Sequence, residues 1–237
     1  MTRFAGPLLT LALLAPAVAA EPFTDAQLEA ALQHLDAADQ DERWFFTMNV
    51  QENDERRVIH HDPLQPPYAQ RSLVSVDGEP ASAEHQEAFR KQERKRVDDR
   101  DPEAGYSKLV DLATLQWRRT EENAAHYAFV PSIESLDDAG GKLQGALVLD
   151  TQTQEVTRIE VFNSEPFSPA LAVTLDEYRL SFDFRDESGT RLLQRMQSRA
   201  VGTAGFVQDF DKSVVVEFSD YRPVTDQPVT TDEAATN

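Results

Sequence analysis

Apolar residues recur at every second position through most of this chain, and that period belongs to β-strands whose two faces see different surroundings. Trp44, Phe46, Met48 and Val50 alternate with Arg43, Phe45, Thr47 and Asn49. Tyr178, Leu180, Phe182 and Phe184 keep a second alternating set. Further strands are expected at 57–60, 71–76, 109–117, 125–130, 143–149, 156–162, 192–201 and from Val214 to Phe218. Short turns join most of them: Asp77-Gly78, Asp150 to Thr153, Asp186 to Gly189 and Asp209 to Lys212. Consecutive strands joined by short turns run antiparallel.

One long strand after Pro166 carries a break in phase. Leu171, Val173 and Leu175 hold one parity, and Tyr178 onward holds the other. The slip falls at Asp176-Glu177. Without a β-bulge there, the aromatic set would turn to the wrong face.

Two segments have helical periodicity. Thr24 with Gln27 reads as a capping box. Behind it Leu28, Ala31, Leu32 and Leu35 form one apolar stripe on a helix ending near Ala38. Ser82 caps a second helix running to about Val97. That helix carries the basic island Arg90, Lys91, Arg94, Lys95 and Arg96. Charge runs of this kind are usually solvated faces, here with Glu87, Asp98 and Asp99 at hand. The functional alternative is contact with an anionic headgroup or an acidic partner.

The chain has no cysteine, so an ordinary hydrophobic core must hold it, and it cannot carry a lipoprotein's acylated cysteine. The expected fold is α+β and mainly antiparallel β. It is a strongly curved sheet, or half-barrel, with helices covering the concave face.

Arg3, the apolar run Leu8 to Leu14, Pro16 and the small residues before Glu21 read as a secretory signal at 1–20, cut after Ala20. The run is shorter than the roughly 20 residues that span a bilayer. A single curved-sheet domain is expected over 21–224. Residues 225–237 are acidic with little to bury, and are expected to be disordered. The reading is a periplasmic protein, exported and without a transmembrane segment in its mature form. Its formal charge of −19 repels phosphate backbones, so nucleic acid is excluded as a partner.

An amphipathic helix, a Trp-containing first strand and a meander of long strands resemble the LolA/LolB-like family of lipoprotein carriers and related lipid-binding proteins. The stretch Leu73 to Ala81 leading into the Ser82 helix, and Gly145 to Asp150 through Phe218 to Tyr221, are similar to its uncharacterised periplasmic branch. The resemblance implies a concave face that holds acyl chains. It transfers no functional residue onto this sequence.

No chemistry-bearing motif competes with that reading. His34, His60, His61, His85 and His126 lack metal-ligand spacing. His60 and His61 are adjacent on a strand and point to opposite faces. Asp98 to Glu103 and Asp209-Phe210-Asp211 lack the glycine and terminal glutamate of a calcium loop. There is no nucleophile elbow, phosphate loop or dinucleotide fingerprint. No catalytic residue, metal or cofactor is assigned.

The expected function is a non-enzymatic carrier or binder of a lipid or acylated protein in the cell envelope. Candidate pocket residues are Leu28, Leu32, Leu35, Trp44, Phe46, Met48, Tyr178, Leu180, Phe182 and Phe184. These types are more often core than pocket, so the alternative is an interaction or structural module with a filled core. A hydrolase of unknown type is the third reading. An open apolar cavity between helix and sheet separates the first from the second. Ionisable groups converging on the cavity floor would favour the third.

Overall fold

A computed structural model describes residues 21–37, 40–101, 105–133, 141–205 and 208–224. The expected signal segment at 1–20 and the expected tail at 225–237 lie outside those residues. Among the described residues no helix is long and apolar enough to cross a membrane.

Among the described residues twelve strands form one antiparallel sheet. They are β1 (Trp44–Glu52), β2 (Glu55–His61), β3 (Arg71–Val76), β4 (Glu79–Pro80), β5 (Gln116–Glu121) and β6 (Ala124–Phe129). After these come β7 (Leu143–Asp150), β8 (Val156–Asn163), β9 (Phe167–Ala170), β10 (Val173–Glu187), β11 (Thr190–Ala204) and β12 (Gln208–Pro223). The order across the sheet is β4-β3-β2-β1-β12-β11-β10-β8-β7-β6-β5, with β9 pairing onto β10. β4 and β5 are its two ends, so the sheet is not closed. β1 pairs with β12 and so joins the early chain to the late, with Met48 opposite Phe218 and Val50 opposite Val216.

The alternation read from the sequence is the burial pattern. Trp44, Phe46, Met48 and Val50 are all buried, whereas Asn49 between them is exposed. The same inward face carries Leu147, Leu149, Ile159 and Val161 on β7 and β8. Among the described residues four α-helices contribute to the fold: α1 (Asp25–Ala37), α2 (Gln40–Arg43), α3 (Ala83–Asp98) and α4 (Tyr106–Leu109). α1 begins on the expected capping box, with the Thr24 N–H donating to Gln27 Oε1 at 2.9 Å. Its stripe Leu28, Ala31, Leu32 and Leu35 is buried. Ser82 caps α3 by accepting the His85 N–H at 3.2 Å.

The bulge at Asp176 is present. Leu175 opposes Gly202 and Glu177 opposes Val201, so one residue of β10 is extra, and Tyr178 then opposes Ala200. Leu175 and Tyr178 therefore share a face. A Cβ on Gly202 would lie 2.0 Å from the Thr174 carbonyl oxygen, so only glycine fits beside the bulge.

Three expectations are corrected. Residues 109–117 are not one strand. The chain forms α4, a single bridge from Val110 to Pro131, a 3-10 turn at Leu112–Thr114, and β5 only from Gln116. The Asp111 side chain accepts the Ala113 N–H at 3.0 Å and makes that turn. Leu171 does not lie on a strand face either. It sits at the tip of a tight turn between β9 and β10, 95% exposed, with Ala172 at φ 64°. Lastly, Asp209 to Lys212 do not turn. They pair with Thr203 to Ala200 inside the β11–β12 ladder, and Gly205 at φ 61° begins the reversal.

Candidate functional site

The helices do not fill the whole inward face of the sheet. Between them and strands β1, β2 and β10 to β12 lies a cavity of about 470 Å³. Its floor is apolar: Met48, Val50, Phe182, Phe184, Met196 and Phe218. These residues share a face because they sit on alternate positions of paired strands. Met48 opposes Phe218, Phe182 opposes Met196, and Met196 opposes Val216.

The wall is set by a long-range contact. The Asp36 carboxylate, at the end of α1, accepts the Tyr106 N–H at 2.6 Å and the Ser107 N–H at 3.2 Å. It thereby caps α4 and fixes Tyr106 over the floor. Tyr106 meets Phe182 edge-on at 5.2 Å and Phe184 at 5.0 Å. A Cβ on Gly105 would lie 2.8 Å from Asp36 Oδ2, so the contact requires glycine there. Burial drives the Tyr106 phenol far above its ordinary range, with Asp41 and Asp36 adding to the effect, so it stays neutral.

A polar rim surrounds the floor. Asp41 of α2 takes both 3.2 Å contacts from Arg71 Nη2 of β3. Burial alone would raise the Asp41 carboxyl, but the Arg71 guanidinium, with His61 and Arg96 beyond it, outweighs burial and holds it below its ordinary value. Glu93 of α3 is buried and pairs with Arg96 at 2.8 Å. Arg191 of β11 pairs with Glu155. Behind the rim, His61 Nε2 lies 2.7 Å from the Asp41 carbonyl oxygen, and the ring stacks on Phe46 at 4.4 Å. Burial lowers the His61 pKa, against the opposing hydrogen bond to Asp41. The neutral ring donates through Nε2, and among the described residues the buried Nδ1 has no hydrogen-bond partner.

Of the candidate pocket residues, Leu35, Met48, Phe182 and Phe184 line the cavity. The others, on α1, β1 and β10, lie outside it. Leu28 and Leu32 are closed into the core, each 1% exposed. Trp44 and Phe46 pack on Tyr221 at 6.1 and 5.5 Å. Leu180 opposes the buried Val161. Tyr178 meets Phe167 edge-on at 6.4 Å. In the basic island, Arg90 pairs with Glu87 at 2.9 Å and Arg96 with Glu93, while Lys91, Arg94 and Lys95 are exposed on α3. The rim residues Asp36, Asp41, Arg71, Glu93, Tyr106 and Arg191 had no signal in the sequence. They come from separate segments and meet only in three dimensions.

No family model matches the chain, and no curated protein matches it. Among solved structures, the crystal structure of MucB in complex with MucA(peri) superposes over 84% of this chain and 99% of that chain, at 13% identity and a TM-score of 0.22. A score that low does not establish a common fold. The rim carboxylates are neutralised by Arg71 and Arg96 or tied to backbone N–H groups. The floor beneath them is hydrocarbon and aromatic. Among the described residues no group of three or more His, Asp or Glu side chains could hold a metal ion.

Proposed function

We propose that this chain is an exported, periplasmic, non-enzymatic protein that binds a lipid or the acyl chain of an acylated protein between its helices and its sheet. One observation carries the reading: an unfilled cavity of about 470 Å³ over a floor of Met48, Val50, Phe182, Phe184, Met196 and Phe218. Ligand pockets commonly enclose roughly 300–1,000 Å³ and are mostly apolar with few polar groups. The sheet would act as the half-barrel of a LolA-like carrier, its bulges at Asp176 of β10 and Gln194 of β11 bending the two strands around the ligand.

The polar rim suits an amphiphile. An acyl chain would lie on the floor, and a headgroup would face Asp36, Asp41, Arg71 and Arg191. Burying each methylene is worth about 0.8 kcal/mol. Association costs an estimated 4–15 kcal/mol, so a long chain is needed for useful affinity.

Mass spectrometry of lipid extracts from the protein purified out of its own cell envelope tests this reading. A co-purifying acylated species at near-equal amounts supports it. Protein that is ligand-free by extraction and by native mass spectrometry would favour a module with a filled core.

A further inference from the structure

The sheet face turned away from the cavity carries a charged row. Along the cross-strand register, Asn49, Glu217, Arg195, Asp183 and Arg158 are direct neighbours on β1, β12, β11, β10 and β8. Directly opposed residues share a face. Their chain neighbours Met48, Phe218, Met196, Phe184 and Ile159 point inward instead. The helices reach the sheet from that inward side, through Leu35, Asp41, Glu93 and Tyr106.

The four charges alternate in sign from Glu217 to Arg158. Arg158 pairs with Asp183 at 3.2 Å. Arg195 and Glu217 stand opposite each other, yet among the described residues neither takes part in an ion pair, and Arg195 Nε is buried without a hydrogen-bond partner. The row lies in a depression of about 740 Å³ lined mainly by polar side chains, which offers an acyl chain little.

Such a row is complementary to itself. Turned by half a revolution and laid against its copy, it sets Glu217 against the second copy's Arg158 and Arg195 against the second copy's Asp183. Every contact then joins opposite signs, and each occurs twice, as a two-fold interface requires. The chain as a whole carries −19, so most of its surface repels a second copy. These four positions sum to zero. We propose that this face is the interface of a homodimer, in which Arg195 and Glu217 gain the partners they lack in the single chain. Water bridges the polar depression, as it does in many interfaces.

Sedimentation velocity on the purified protein over a concentration series tests this. The expected result is a dimer that weakens as salt screens the row. Glu217→Arg changes an exposed side chain with no intramolecular ion pair, and should raise the dimer dissociation constant by roughly tenfold or more, since it sets like charges together. Arg158→Glu should do the same. A one-to-one mixture of the two variants should recover a heterodimer, because residue 217 of one then meets residue 158 of the other with opposite signs. If Arg158→Glu fails to fold, Glu217→Arg alone decides. A wild-type monomer at every concentration overturns the proposal. So does a dimer unaffected by Glu217→Arg, or a mixture of folded variants that stays monomeric.

Discussion

The Asp36 carboxylate accepts the Tyr106 N–H at 2.6 Å across 70 residues of sequence, and this bond hangs one wall of the cavity. Asp36→Ala leaves the first N–H groups of α4 without their acceptor and frees Tyr106 to move off Phe182. Hydrogen bonds to charged groups contribute about 1.5–3 kcal/mol. Urea denaturation should show a loss in that range, and acyl-probe affinity should fall with it. Gly105→Ala, which drives a methyl into the same carboxylate, should reproduce both effects.

Acid should destabilise the fold in two steps. The folded His61 has a pKa below its ordinary 6.5, so between those values the unfolded chain binds the extra proton. Stability is then highest above pH 6.5 and falls as pH drops toward the folded pKa. The folded Asp41 carboxyl also lies below its ordinary 3.8. Its contribution is complete above that value and is lost as pH falls through the folded pKa. Denaturant midpoints measured from about pH 8 to about pH 5 cover the histidine step. His61→Gln should flatten the curve there, while Arg71, the larger cause of the low Asp41 pKa, keeps the lower step.

Gly202 faces the bulge with the Thr174 carbonyl where its Cβ would stand, at 2.0 Å. Gly202→Ala should force β10 and β11 apart locally and cost about 1–3 kcal/mol, the range for overpacked sites. Gly189, at φ 84° in the β10–β11 turn, has open space around its Cβ position. Gly189→Ala is therefore strained by its backbone alone. Comparing denaturant midpoints separates contact from conformation.

Side-chain period made the core strands legible. Trp44, Phe46, Met48 and Val50 needed only alternation to be placed on one buried face, and the parity change at Asp176 needed only the rule that a strand has two faces. What the sequence hid was set by distant partners. The segment from Tyr106 to Leu115 has strand-like composition, but Asp36 and Asp111 supply hydrogen bonds that a strand could not use. Leu171 fits the parity of Val173 and Leu175, yet β9 pairs back onto β10 and leaves it at the tip of the turn. Asp209 to Lys212 look like turn residues by composition, but pairing with β11 carries them as strand. The cavity followed the same division. Its floor lies on readable strands, and its rim joins α1, α2, α3, α4, β3 and β11, which no local pattern connects.

Binding of a fluorescent fatty acid to wild type, Phe182→Asp and Met196→Trp, with circular dichroism on each, tests the central claim most directly. Phe182→Asp sets an unpaired charge on the cavity floor, where an ion is strongly disfavoured, and Met196→Trp fills the space with an indole. The expected result is saturable binding by wild type, displaced by unlabelled fatty acid, and its loss in both variants while their β-sheet spectra persist. Folded wild-type protein that takes up no probe, or Met196→Trp protein that binds it as well as wild type, would contradict the account.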